Sequence, residues 1–155
     1  MHGNEQVIEH LNEALKAELT AIVQYMVHAE MCSNWGYKRL GGYIKKQAID
    51  EMKHAEGLIE RILMLDGIPK VDVMPAPRIG STVKAQMEND LAAELEAVSQ
   101  YNAAVAICGK AADNASRALF EKMVSDEEQH ADFLEAQLRM IGDVGLDNYL
   151  TQQIQ

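Results

Sequence analysis

The sequence predicts an all-α protein, a four-helix bundle with one long crossover and a short fifth helix. Three observations carry this expectation. All three prolines, Pro69, Pro75 and Pro77, fall within one stretch from Gly67 to Gly80. The Pro-free segments on either side are rich in Ala, Leu, Glu, Met and Lys, which are strong helix formers. No stretch alternates apolar and polar residues over the length of a useful strand.

The first helix is expected from about Glu5 to Asn34, because Ile8, Leu11, Leu15, Leu19, Ile22 and Val23 recur at helical spacing. A turn at Asn34-Trp35-Gly36 interrupts it. The second helix is expected from about Lys38 to Asp66, where Gly67 and Pro69 supply a stop. Ser81 or Thr82 can cap a third helix running to about Lys110. Asp113-Asn114 marks the next turn. A fourth helix follows to about Ile141, stopped by Gly142 and Gly145, and a tail helix spans Leu146 to Gln152. A helix of roughly 28 residues is about 42 Å long. The Gly67–Gly80 linker can reach about 45 Å, far beyond what a helical hairpin needs. It can therefore run the length of the bundle and make helices two and three parallel.

A chain of 155 residues suits one domain, residues 1–155, with a core that needs no disulfide staples. Apolar residues at 48% and charged residues at 25% exclude wholesale disorder and collagen. The net charge of −10 disfavours nucleic acid and anionic membranes and favours cations. No apolar run approaches the roughly 20 residues of a membrane span. The polar, acidic N-terminus does not read as a leader. Cys32 and Cys108 stand alone, without metal spacing, which suits a reducing cytoplasm.

The two halves repeat each other. Glu18 to Tyr25, ELTAIVQY, aligns with Glu94 to Tyr101, ELEAVSQY; Asp50 to Glu56, DEMKHAE, aligns with Asp126 to Asp132, DEEQHAD. The offset is 76 residues in both cases. Each half is one helical hairpin. The midpoint of Glu18 and Glu51 falls at the first turn, and that of Glu94 and Glu127 falls beside the second. Residues equidistant from a hairpin turn lie level, so Glu18 faces Glu51 and Glu94 faces Glu127. His54 and His130 follow Glu51 and Glu127 by three residues, on the same helix faces.

Four carboxylates and two imidazoles in a bundle core suit two metal ions, the pattern of carboxylate-bridged di-iron and di-manganese bundles. Four carboxylates carry −4, which two divalent cations balance. Without them the cluster takes up protons or bears a large desolvation cost. Oxygen and imidazole donors favour Fe, Mn or Zn. Glu51 and Glu127 are expected to bridge, with Glu18 and Glu94 terminal. His54 completes one metal's shell and His130 the other's. Tyr25 and Tyr101, two turns from Glu18 and Glu94, are either donors to the centre, of a hydrogen bond to a carboxylate or of an electron, or amphipathic core-edge residues. Asp50, Asp90 and Asp126 are candidates for holding imidazole N–H groups, although solvent exposure is the ordinary state of each. Most of the nine methionines are expected to fill the core. Met52 is rotated 100° from Glu51 and about 160° from His54. It points away from the metal pocket, which by position alone suits a subunit interface.

The chain resembles the bacterioferritin family over nearly its whole length. The resemblance lies in NEALKAELTAIVQY, the NWG turn, IDEMKHAEGLIERIL with LDG after it, DLAAELEA, DEEQHADFLE and GLDNYLTQQI. It implies a ferritin-like fold and a 24-subunit hollow shell that oxidises Fe(II) with O2 or H2O2 and stores ferric mineral. It implies ferroxidase ligands at Glu18, Glu51, His54, Glu94, Glu127 and His130, binding two iron ions per subunit. It also implies that Met52 from each of two subunits ligates one shared haem b, a role open to a thioether. A small ferredoxin-type partner would then supply electrons for iron release. The chain departs from the family in places. Lys46 stands where some members carry a histidine that binds iron on the cavity wall, and a protonated lysine has no lone pair to offer. Leu58 and Phe133 stand where some carry oxidisable aromatics. Asn148 falls in a segment that in the family lies near a fourfold pore.

Other functions share parts of this pattern. A rubrerythrin-like di-iron peroxidase has the paired Glu-x-x-His but usually carries a Cys-x-x-Cys module, which is missing here. A DNA-protecting mini-ferritin favours a basic tail. A purely structural shell subunit has no need of all six ligands.

Overall fold

The computed structural model describes residues 1–155 and contains five helices and no strand. They are α1 (Glu5–Asn34), α2 (Lys38–Met64), α3 (Val83–Lys110), α4 (Asn114–Val144) and α5 (Leu146–Thr151). Side chains cap three of them. Asn4 Oδ1 accepts from the backbone N–H groups of Gln6 and Val7, Thr82 Oγ1 from Ala85, and Asp113 Oδ1 from Ser116. Of the two candidate caps of α3, Thr82 is the one that serves.

The predicted boundaries hold except at the C-termini of α2, α4 and α5, the last ending at Thr151, one residue short of Gln152. α2 stops two residues early, because Asp66 takes a left-handed φ of 58°. α4 runs through Gly142 to Val144. A lone glycine costs a helix only about 1 kcal/mol, and the helix ends where Gly145 adopts φ 86°.

α1 and α2 form one hairpin and α3 and α4 the other. Contacts between the hairpins fix their direction. Tyr25 and Glu18 of α1 meet Glu94 and Tyr101 of α3 respectively, so α1 and α3 are antiparallel. α2 is therefore parallel to α3, and residues 65–82 cross the bundle end to end, as predicted. This strap is tied to one stripe of α1. Asn12 donates to the Ile68 carbonyl (3.2 Å) and accepts from the Lys70 N–H (2.7 Å). Thr20 donates to the Pro75 carbonyl, Gln24 accepts from the Arg78 N–H, and His28 Nε2 accepts from the Gly80 N–H. Residues 12, 20, 24 and 28 differ by multiples of four and follow one ridge that winds gradually round the helix, as the strap does.

The apolar core has two parts. One contains Val7, Leu11, Leu15, Leu58, Ile62 and Phe120; the other contains Tyr25, Leu40, Ile44, Met87, Leu134 and Ile141. On every long helix the acidic residues singled out above lie between these parts. The bundle thus has a polar layer across its middle. The methionines do not fill the core as expected. Only Met87 and Met123 are buried in the chain, while six, Met52 among them, are exposed.

Candidate metal centre

The polar layer brings all six predicted residues together. Glu18 comes from α1, Glu51 and His54 from α2, Glu94 from α3, and Glu127 and His130 from α4. All are buried, at 1 to 9% exposure. Their ligand atoms form two groups, each within 4.8 Å: Glu18, Glu51, His54 and Glu127; and Glu51, Glu94, Glu127 and His130. Glu51 and Glu127 belong to both groups, the two residues expected to bridge. His54 Nδ1 lies 3.1 Å from Glu127 and 3.6 Å from Glu18, and His130 Nδ1 lies 3.0 Å from Glu51 and 3.5 Å from Glu94.

Each imidazole turns Nδ1 inward and Nε2 outward. His54 Nε2 bonds Asp126 Oδ2 at 2.8 Å, and Asp126 is paired in turn with Lys122 at 2.7 Å. His130 Nε2 lies 3.6 Å from Asp50, beyond hydrogen-bond range. The two tyrosines reach across the hairpins. Tyr25 O–H donates to Glu94, and Tyr101 O–H donates to Glu18 at 2.6 Å. Both tyrosines are hydrogen-bond donors to the carboxylates. They orient one oxygen of each carboxylate and leave the other, Oε2, buried without a partner.

The donor set fits divalent metal. Seven inward atoms are buried without a hydrogen-bond partner: Glu18 Oε2, both oxygens of Glu51, Glu94 Oε2, Glu127 Oε1 and the Nδ1 atoms of His54 and His130. So many orphans in one place are costly unless a cation satisfies them. Protonation records the same strain. Burial and the adjacent Glu18 hold the Glu51 carboxyl well above its ordinary range. Burial and Glu94 push Glu127 up to about 12. Burial would lower the His54 imidazole, but Glu127, Glu18 and Glu51 raise it strongly. Each group offers three carboxylates and one imidazole, a set that suits Fe, Mn or Zn.

Two recesses reach the centre. One, about 310 Å³, opens between α1, α3 and the strap and is lined at its inner end by the four glutamates. The other, about 280 Å³, opens between α2 and α4 and is lined by His54, His130, Asp50, Asp126 and polar neighbours.

Of the three aspartates, Asp50 is partly solvated and makes no hydrogen bond, whereas Asp126 and Asp90 are engaged. Asp126 holds His54, and Asp90 is fully buried. Asp90 Oδ1 accepts from Gln24 Nε2 (2.8 Å) and faces His28 Nδ1 (2.9 Å), an imidazole outside the centre. Asp90 is legible in the sequence as an imidazole partner, but the imidazole it faces, His28, is not, for a definite reason. At the repeat offset His28 corresponds to Ala104, so matching the two halves passes over it. Met52 lies outside the centre, 46% exposed, with the exposed Ile49 one turn before it.

Residues 8–143 match the ferritin-like domain family. The bacterioferritin of Mycolicibacterium paratuberculosis is 41% identical over 152 residues, 98% of this chain and 96% of that protein. That of Mycobacterium leprae is 42% identical over the same shares. The Streptomyces coelicolor bacterioferritin is 40% identical over 155 residues, 100% of this chain and 93% of that protein. A ferritin-like bundle, a shared carboxylate–histidine centre and near-full-length identity of this order place the chain in the bacterioferritin family of ferritin-like proteins.

Proposed function

We propose that this protein stores iron and oxidises Fe(II) to Fe(III), with O2 or H2O2 as electron acceptor, at the buried six-residue centre. The observation that carries this reading is the pair of four-residue groups sharing Glu51 and Glu127. Two Fe(II) ions bound there as substrate would sit close enough for two electrons to pass to one oxidant. The protein's part is to hold donors of fixed type and spacing. Glu51 and Glu127 span both positions, Glu18 and His54 serve one, and Glu94 and His130 serve the other. Tyr25 and Tyr101 keep Glu94 and Glu18 oriented. The net charge of −10 favours Fe(II) near the surface. The ferric product is stored inside a hollow shell of 24 chains assembled from dimers. The two buried free thiols suit the cytoplasm.

Met52 would hold a haem b shared by two chains. Its exposed thioether and apolar neighbour Ile49 fit a group seated at a subunit interface. A haem held there would supply one-electron transfer for release of stored iron, with a ferredoxin-type partner as the electron source.

Anaerobic protein mixed with Fe(II) and then oxidant tests the main reading by stopped-flow absorbance. A fast phase saturating at two irons per chain is the expected result. His130→Ala should remove that phase while chromatography still shows an assembled shell. A rate that rises without saturation in the wild-type protein overturns the proposal. Met52→Leu should lose the haem Soret band without losing the fast phase.

A further inference from the structure

The 310 Å³ recess has a charged rim that the oxidation chemistry leaves unused. Its inner end is formed by the buried Glu18, Glu51, Glu94 and Glu127, and its outer end includes Arg78 and Glu96. These two are 45% and 68% exposed. Arg78 is the only Lys, Arg or His in the lining. Its Nη1 and Nη2 donate to Glu96 Oε1 and Oε2, both at 3.2 Å. The Arg78 backbone is fixed on both sides. Its N–H donates to Gln24 of α1 at 2.9 Å, and its carbonyl accepts from Asn89 of α3 at 3.1 Å. The strap therefore places one guanidinium at the mouth of an acidic recess, facing a carboxylate of α3.

We propose that the Arg78–Glu96 pair is a charge-compensated gate that sets the rate at which divalent cations enter the centre, given that the centre binds them. A recess with low-dielectric walls focuses the field of the charges at its rim. While Arg78 and Glu96 are paired, their charges cancel for an approaching dication. An unpaired Arg78 repels it, and an unpaired Glu96 attracts it. An exposed ion pair is weak and opens readily, so the pair modulates entry and does not seal the recess. Neither residue belongs to either ligand group, so the number of ions held at saturation is independent of the gate.

Co(II) uptake by the assembled, full-length protein tests this, read from the visible ligand-field bands by stopped flow at low ionic strength. Arg78→Gln should take up Co(II) about threefold faster or more. Glu96→Gln should be slower by a similar factor. The double variant, with a neutral rim, should return close to the wild-type rate. High salt should compress all of these differences. All four proteins should bind the same number of Co(II) ions at saturation. Equal rates in the four, with equilibrium binding intact, overturn the gate and leave the centre standing. A slower Arg78→Gln variant also overturns it. Absence of saturable Co(II) binding in the wild-type protein overturns the reading of the centre and the gate with it.

Discussion

His54 and His130 occupy matching places in the two hairpins, yet the bundle treats them differently. His54 is clamped from outside by Asp126, which Lys122 holds from one turn away. His130 faces Asp50 at 3.6 Å, and Asp50 makes no pair with Lys46. The local pattern is nonetheless the same: Lys46 precedes Asp50 by four, as Lys122 precedes Asp126. The turns differ as well. The first bends through Gly36 at φ 95°, and the second through Ala112 at φ 55°, with Asp113 capping α4 and pairing with Arg61 at 2.8 Å. An internal repeat thus specifies which donors are present and at what level. How firmly each is held depends on neighbours from the opposite hairpin.

The largest expected effect concerns what the two half-sites share. Glu51→Gln or Glu127→Gln should eliminate tight binding at both metal positions, since each residue belongs to both groups. Glu18→Gln or Glu94→Gln should cost one position only. An equilibrium Co(II) titration counts them, and a Glu51→Gln protein that still binds two ions breaks the shared-bridge arrangement. Next comes the difference between the histidines. Asp126→Ala should weaken the His54 position by about 10–100-fold, the usual cost of losing a carboxylate behind a ligand histidine. Asp50→Ala should weaken the His130 position less. Equal losses would mean that the outer hydrogen bond to His54 does nothing that the looser His130 lacks.

Smaller effects separate the turns. Asp113→Asn should destabilise the chain by about 1–2 kcal/mol at neutral pH, through a lost charged partner for Arg61 and a lost acceptor for the Ser116 hydroxyl. Burial would raise the Asp113 carboxyl, but bonds from Ser116 and the Arg61 guanidinium hold it below its ordinary 3.8. A lowered folded value means that the stabilisation is complete above the unfolded value and fades as pH falls through the folded one. Urea melts at neutral pH and near pH 2.5 should show the difference between the two proteins shrinking in acid. The smallest effect is expected for Ala112→Gly, which should stabilise the second turn by up to about 1 kcal/mol by relieving a left-handed alanine. The mirror change, Gly36→Ala, should destabilise the first turn by a similar amount.

Much of this protein is legible in one sequence. The confinement of proline to one stretch, the apolar spacing and the linker length determined four long helices and an end-to-end crossover. The 76-residue offset and the hairpin midpoints place six donors level in the bundle. Helical periodicity and hairpin register are local rules, and an internal duplication states them twice, so they survive without knowledge of packing. The rest was decided by contacts between segments far apart in the chain. Asn12, Thr20, Gln24 and His28 read as an ordinary polar stripe until the strap lies down on them. Arg78 and Glu96 lie 18 residues apart on different segments and meet only at the mouth of the recess. Asp126 holds a histidine while its counterpart Asp50 does not, because packing of α2 on α4 sets those distances to within an ångström. Sequence spacing resolves a helix face but not an ångström, and hydrogen bonds depend on the ångström.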